Sequence, residues 1–378
     1  MIVYTIIVLV LTVIYVFIFI GYLAGWMLLP EFSVSSKTGT TKVSIIVAAR
    51  NEELHISDLL CDLVAQSYPS HLVEILVVDD FSTDDTASIV EAFNYPSVKL
   101  LQLKEVIKDE YPGSSYKKKA LEMGIAAASG ELILTTDADC RMKKDWLNTM
   151  VNFYEQKHCH MIVAPVSFTG ETTLFERWQS LDFLGMIGIT GSTLQFNFPA
   201  MCNGANLAFR KKSFAEINGY SGINHVASGD DVLLMHKMTK QWKGGVRFLK
   251  SNKAVVYTFA QPDLKSFIRQ RIRWASKSGS YTDKRVTINL MLVYLFNISI
   301  VITALLCFFN STYCVLLSLQ LVLKMIVEFP FLSTVATFFK RRRLLALFLP
   351  AQFLHILYIV VIGTLGNTVR TSWKGRKI

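Results

Sequence analysis

The chain has no Gly-x-Gly-x-x-Gly loop and no Walker loop, which disfavours a dinucleotide-binding Rossmann domain and a P-loop ATPase. No two of its six cysteines stand in a Cys-x-x-Cys pair, so they read as free thiols in a reducing compartment. His158-Cys159-His160 is a metal fragment at most, and a lone alternating trio is better read as strand-edge filler. No nucleic-acid motif is recognisable, although the net charge is +10. The apolar first thirty residues lack a positive start and a small-residue cleavage site, which argues for a retained anchor rather than a signal peptide.

What is abundant is hydrophobicity: 52% of the 378 residues, with a mean hydropathy of +0.37. The excess sits at the two ends. Residues 1–29 are long enough to span a bilayer, and segments 288–309, 313–338 and 344–365 are three further candidates within a C-terminal membrane region, 286–366. Lys324, Glu328 and His355 fall inside those segments and should face protein or water rather than lipid. The positive charge lies beside the apolar ends, at Lys340 to Arg343 and in a basic tail, 367–378, a pattern that fits an anionic membrane surface. By the positive-inside rule, the segment after the first span is cytoplasmic, which makes this a multi-pass protein of the cell membrane. The same rule holds the basic tail inside, so two full C-terminal spans are expected, or three with one re-entrant; Pro350 marks the last as that one.

Between the ends, after a polar linker at 30–41, a domain is expected over 42–285. Continuous apolar runs at 43–48, 73–78, 98–103 and 132–135 predict buried strands, and helical stretches to about 66, to about 93 and over 117–128 alternate with them. That alternation means βαβ units and a largely parallel sheet, an α/β fold. Further strands are expected at 161–164 and 254–258, and helices at 174–186, at 232–239 and after Pro262. Residues 202–206 form a small-residue stretch, Cys202-Asn203-Gly204-Ala205-Asn206, where a ligand can approach closely.

Four polar stations punctuate this frame. Asp79-Asp80 ends one strand, and Asp137-Ala138-Asp139 ends another. In open α/β sheets ligands bind outside the carboxyl ends of the strands. Two acids there suit a hard divalent cation, Mg²⁺ or Mn²⁺, with a diphosphate completing its shell. Asp230-Asp231 opens a helix, and Gln270, Arg273 and Trp274 share one helix face at i, i+3 and i+4. Each has a plain structural reading: a turn, an N-cap, a core indole. Their order along the chain is what carries specificity.

That order resembles the family 2 inverting glycosyltransferases, a group that includes cellulose, hyaluronan and poly-N-acetylglucosamine synthases and is similar to ceramide glucosyltransferases. The likeness covers about 42–276. Residues 43–52 look like the family's opening strand, with Ala48 where proline is frequent, and 75–86 like its nucleoside-binding strand and turn. Lys117 and Lys118 match a lysine-containing segment, with Tyr116 where glycine is usual. Gly229-Asp230-Asp231 matches the acidic pair, usually Glu-Asp, and Gln270-Arg271-Ile272-Arg273-Trp274 matches Gln-x-x-Arg-Trp. Trp373-Lys374-Gly375-Arg376 resembles the basic tail of some membrane members. The resemblance implies a GT-A nucleotide-diphospho-sugar transferase fold, a Rossmann-like mixed sheet between N- and C-terminal transmembrane helices. It implies donor contacts from Glu52, Asp79, Asp80, Lys117, Lys118, Asp137, Gln270 and Arg273, and a metal held by Asp139 with Asp137. Asp231 would be the catalytic base, supported by Asp230, and Trp274, with Asn203 and Gly204, would form the acceptor site.

The expected activity is transfer of one sugar from a nucleotide-sugar, a UDP-sugar first, to a lipid or lipid-linked glycan acceptor at the membrane, with room for an accessory membrane subunit. A processive polysaccharide synthase is the alternative. A non-catalytic membrane scaffold with a degenerate transferase domain is a rival of another class, disfavoured because Asp231 and Gln270-Arg273-Trp274 are all present. Few spans around a large α/β domain argue against a transporter.

Overall fold

The computed structural model describes residues 2–34, 39–107, 116–224, 229–366, 372–373 and 376–377. Lys374 and Gly375 of the basic-tail motif above lie outside the described residues. The chain forms two compact units. One comprises Pro30–Gly170, Met201–Phe259 and Ser372–Ile378, the other Met1–Leu29, Glu171–Ala200 and Ala260–Thr371. These units do not follow a continuous domain over 42–285, because residues 171–200 and 260–371 belong with the first helix.

The first unit is the α/β unit. Its strands are β1 (Val43–Ala49), β2 (Val73–Asp79), β3 (Val98–Gln102), β4 (Leu132–Asp137), β5 (Arg141–Met142), β6 (Met161–Val163), β7 (Val166–Thr169), β8 (Leu207–Arg210), β9 (Val246–Phe248) and β10 (Val256–Phe259). Seven form a mixed sheet in the order β3-β2-β1-β4-β8-β6-β9, and β5-β10-β7 form a second, small sheet. β1, β2, β3 and β4 run parallel, whereas β8 is antiparallel to both β4 and β6. The apolar runs of β1 and β2 are buried almost throughout, as strands covered on both faces require. Register aligns their ends: Ala49 pairs with Asp79 across β1 and β2, and Ala48 with Asp137 across β1 and β4. Both acidic stations therefore emerge at one edge of the sheet. At the opposite edge Gly130 lies so close to β1 that a Cβ would sit 2.5 Å from the Ser44 nitrogen. Glu74 accepts hydrogen bonds there from the Ser44 hydroxyl and from the amide and hydroxyl of Ser129. Buried Asn206 donates to the carbonyls of Pro165 (2.7 Å) and Ala254 (2.8 Å) and accepts from the Trp146 indole (3.0 Å). This satisfies an amide that an apolar interior would otherwise penalise.

Three boundaries differ from the sequence expectation. The first helix after β1 is Ile56–Val64, ending at Val64 rather than at about 66; ahead of it Asn51 adopts φ +50° and the chain turns. The helix at the second acidic pair starts at Asp230, not Val232, behind Gly229 at φ +87°, a left-handed conformation that glycine adopts without a Cβ penalty. The helix expected at 174–186 runs on to Gln195.

The second unit is helical. Among the described residues four helices are long and apolar enough to cross a membrane: Ile2–Leu28, Lys284–Leu306, Thr312–Phe338 and Arg342–Leu365. Helix Leu174–Gln195 packs with them. It opens on a capping box in which Thr173 and Glu176 exchange side-chain and backbone hydrogen bonds. Gly188 lies against Phe331 and Val335, and Gly191 against Trp26; small residues at such points let helices approach closely. Trp26 is thus buried against protein rather than placed at a lipid interface. Lys324 and Glu328 pair inside the unit, where Glu328 also accepts from Tyr15 and from Gln352 (2.7 Å). These intrasegment charges face protein, as their cost in hydrocarbon demands.

Candidate active site

The carboxyl edge of the large sheet gathers one group of polar side chains within the α/β unit. Its outer corner is the turn after β2. Arg50 donates to the carbonyls of Asp80 (2.7 Å) and Phe81 (2.9 Å), fixing a turn in which Phe81 adopts φ +55°. Asp79 and Asp80 are buried. The Asp79 Oδ2 accepts from the Ser82 amide (3.3 Å), while its Oδ1 is buried without a hydrogen-bond partner, an acceptor that a ligand N–H or O–H would satisfy. The Glu52 amide donates to the Thr86 hydroxyl (2.7 Å), so Glu52 belongs to this same turn region.

At the end of β4, Asp137 pairs with the Lys117 ammonium at 2.6 Å. Asp139 accepts from the Thr258 hydroxyl (3.1 Å) of β10. Burial, and then the nearby Asp137 charge, holds the Asp139 carboxyl above the usual carboxylate range. Burial alone would lower the pKa of Lys117, but the carboxylates of Asp137, Asp230 and Asp231 hold it above the ordinary lysine value. The neighbouring Lys118 is buried instead and donates to the Ile223 carbonyl (2.7 Å).

The acidic pair closes the group. Asp231 accepts from the Gly204 amide (3.0 Å) through Oδ2 and from the Val232 amide (2.8 Å) through Oδ1. The Thr135 hydroxyl of β4 donates to the Gly204 carbonyl (3.0 Å), and the Asn203 side chain caps the same turn by accepting from the Ala205 amide. One cavity is lined by Lys117, Asp137, Gly204, Tyr220, Asp230 and Asp231. Sequence stations separated by about a hundred residues thus share a single concavity.

The match of two family models decides what this arrangement belongs to. Residues 44–217 match the model "Glycosyl transferase family 2", and residues 132–362, more than half the chain, match "Glycosyl transferase family group 2". The chain belongs to the family 2 glycosyltransferases. Among solved structures, a mannosyltransferase of Pyrobaculum calidifontis in complex with GDP-Man and Mn²⁺ superposes with a TM-score of 0.60 at 18% identity, covering 96% of this chain and 99% of that one. The expected GT-A fold is therefore the one present. Curated relatives include the glycosyltransferase AglE of Haloferax volcanii, 29% identical over 50% of this chain and 59% of the relative. The poly-beta-1,6-N-acetyl-D-glucosamine synthase of Staphylococcus aureus is 23% identical over 65% and 56%, and the beta-monoglucosyldiacylglycerol synthase of a Synechocystis is 32% identical over 30% and 23%. The chain thus matches less than two thirds of the length of these relatives.

The remaining stations of this family 2 glycosyltransferase lie in the helical unit. Gln270, Arg273 and Trp274 sit on helix Leu264–Ala275, whose N-terminus is capped by Asp263 accepting from the Ser266 amide (2.8 Å). The Gln270 Oε1 is buried without a hydrogen-bond partner. Trp274 packs near Phe183, ring centroids 6.2 Å apart. Between the motif positions, Arg271 is the residue the sequence reading passed over. Its side chain is buried, pairs with Asp182 at 2.8 Å and stacks 4.5 Å from the Trp274 ring centroid. The one signal for it was Asp182, the one acid beyond the first turn of helix Leu174–Gln195. In the His158-Cys159-His160 trio, His160 bonds Ser213 (2.7 Å) and stacks on Trp242.

Proposed function

We propose that the chain is a membrane-bound inverting glycosyltransferase that moves one sugar from a nucleotide-sugar, a UDP-sugar first, to a lipid or lipid-linked acceptor. The observation that carries this reading is the single cavity edge shared by Lys117, Asp137 and the Asp230-Asp231 pair. Asp79 and Asp80 hold the nucleoside, the orphaned Asp79 Oδ1 accepting from the base or ribose. Glu52 supports that pocket. Lys117 meets the diphosphate as a compact ammonium on a flexible stem. Lys118, turned to the Ile223 carbonyl, holds the backbone of that region rather than the donor.

Asp137 and Asp139 form a carboxylate pair in which burial first, and then repulsion from Asp137, raises the pKa of Asp139. An all-oxygen, doubly anionic set of this kind fits Mg²⁺ or Mn²⁺. Bound there, the ion would neutralise charge on the departing diphosphate. Asp231 takes the proton of the acceptor hydroxyl as that oxygen attacks the anomeric carbon from the face opposite the leaving group. Asp230 supports it, and the Gly204 amide keeps the Asp231 carboxylate oriented. Such general-base help is worth roughly 10² to 10⁴ in rate. One displacement inverts the anomeric centre. By the family resemblance, Gln270 and Arg273 carry further donor contacts and Trp274, with Asn203 and Gly204, the acceptor contacts.

Four apolar helices support a membrane-embedded acceptor, as does the similarity to a glucosyldiacylglycerol synthase. A cytoplasmic catalytic unit, with Lys340 to Arg343 inside, follows from charge placement. The likeness to a poly-N-acetylglucosamine synthase favours a second reading, extension of a polymer. The test is nucleotide release by purified chain from a panel of UDP- and GDP-sugars, with and without lipid extract. Donor cleavage that needs lipid and yields a lipid carrying one sugar of inverted anomeric configuration is expected. A water-insoluble polymer would favour the second reading, and release from no donor would overturn both. In the same assay Asp139→Asn should abolish transfer, and full activity in EDTA would remove the metal.

A further inference from the structure

The candidate site contains a cation of its own, and it is a protein group. The Lys117 ammonium lies 2.6 Å from Asp137 Oδ1, with both side chains about one third exposed at 28% and 36%. It shares its cavity with Asp230 and Asp231, so one positive charge stands among three carboxylates. Asp137 is also one of only two acids offered for a divalent ion, and among the described residues no group of three His, Cys, Asp or Glu side chains stands ready to bind a metal. A divalent cation entering at Asp137 would meet an ammonium at the same carboxylate. Charges of like sign a few ångströms apart in a half-buried site repel by several kcal/mol at an effective dielectric of about 20.

We infer that Lys117 is the resting counter-ion of the metal-binding carboxylate Asp137, so that divalent cation and nucleotide diphosphate bind as a pair and each tightens the other. The diphosphate gives the ammonium a new anionic partner, and the turn of one flexible side chain frees Asp137 for the ion. The inference rests on the metal and donor reading above and assigns Lys117 a second role within it: holding the cation out until the donor arrives. Because binding linkage is reciprocal, the factor by which UDP tightens the ion equals the factor by which the ion tightens UDP.

The experiment is a titration of Mn²⁺ into the full chain in detergent micelles, read by loss of the free-ion electron paramagnetic resonance signal, with and without UDP. For the wild type, UDP should tighten Mn²⁺ by at least about tenfold, within the usual range of coupling between sites. Lys117→Met should bind Mn²⁺ without UDP at least about tenfold more tightly than the wild type, so that the gain from UDP shrinks to what direct coordination by the diphosphate supplies. Lys117→Gln, which keeps a polar side chain, should behave the same way if the methionine variant does not fold, and Lys117→Arg should retain the wild-type order. Asp139→Asn identifies the site. If Asp139→Asn abolishes Mn²⁺ binding but neither neutral Lys117 variant tightens it, the counter-ion role is overturned while the metal reading stands. If Asp139→Asn leaves Mn²⁺ binding unchanged in the presence of UDP, the metal reading itself fails and the inference with it.

Discussion

Replacing Arg271 by methionine tests the strongest electrostatic claim made for the helical unit. The Arg271 and Asp182 side chains are 3% and 5% exposed and meet at 2.8 Å. Asp182 also accepts from the Tyr358 hydroxyl (3.0 Å), and the guanidinium lies against the rings of Phe267 and Trp274. Removing Arg271 leaves a buried carboxylate with the Tyr358 hydroxyl and the His355 imidazole (3.8 Å) as its neighbours, and removing Asp182 leaves a buried guanidinium without its carboxylate. Breaking a buried pair in this way costs roughly 3–5 kcal/mol, whereas replacing both members by apolar residues of similar volume is often neutral or stabilising. Arg271→Met and Asp182→Leu should therefore each lose about 3–5 kcal/mol, and the double variant should recover to within about 1 kcal/mol of the wild type. Denaturant unfolding of the purified chain in detergent, run as a double-mutant cycle, measures the coupling. Single variants that lose less than about 1 kcal/mol and add without coupling would mean that water reaches the pair, and the argument from burial would fail.

Asp231→Asn keeps one acceptor oxygen, enough for either the Val232 or the Gly204 amide but not both, so it should still fold, about 1–3 kcal/mol less stable, yet lose transfer by at least about 10². Asp230→Asn should lose less, and a dead Asp230→Asn beside an active Asp231→Asn would reverse the assignment of base and support. Gly130→Ala would press a methyl against backbone, 2.5 Å from the Ser44 nitrogen and 2.7 Å from the Val43 carbonyl carbon. It should cost about 1–3 kcal/mol, and an unchanged unfolding midpoint would show that the β1–β4 edge is looser than described. Burial alone would raise the Glu74 pKa, but hydrogen bonds from Ser44 and Ser129 hold it below the usual range. A carboxylate with a depressed native pKa contributes stability above its unfolded pKa and loses it as pH falls through the native one. Glu74→Gln should accordingly be less stable than the wild type at neutral pH, with the gap closing in acid; a gap independent of pH would place its origin in packing.

The strands that carry the acids were legible because each is a continuous apolar run that stops at its carboxylates: Val73–Asp79 and Leu132–Asp137 differ from the expected runs only by including the terminal residues. Short strands were not legible. Leu207–Arg210 hides behind the small residues 202–206, and its antiparallel place beside β4 is set by partners distant in sequence. The membership of Leu174–Gln195 was missed because Asp182 makes its first half look amphipathic. The charge that cancels Asp182 is Arg271, 89 residues further on, a distance over which periodicity carries no information.

The two adjacent lysines show where local reading ends and geometry begins. Consecutive residues on a helix point about 100° apart, so Lys117 and Lys118 cannot both face one cavity. Nothing in the pattern of helix Tyr116–Ala127 selects between them, and the family segment contains both. The choice is made by partners in other elements. Asp137 at the end of β4 takes one ammonium, and the Ile223 carbonyl, in the irregular chain after β8, takes the other. Each lysine satisfies a different need: one balances carboxylates that must remain accessible to a ligand, the other, itself buried, ties helix Tyr116–Ala127 to the chain at Ile223. Exchanging their roles would require the helix to rotate, which the buried contacts of Ala120, Leu121 and Gly124 forbid. A neutral substitution at Lys118 should therefore show itself in stability, and one at Lys117 in ion and donor binding.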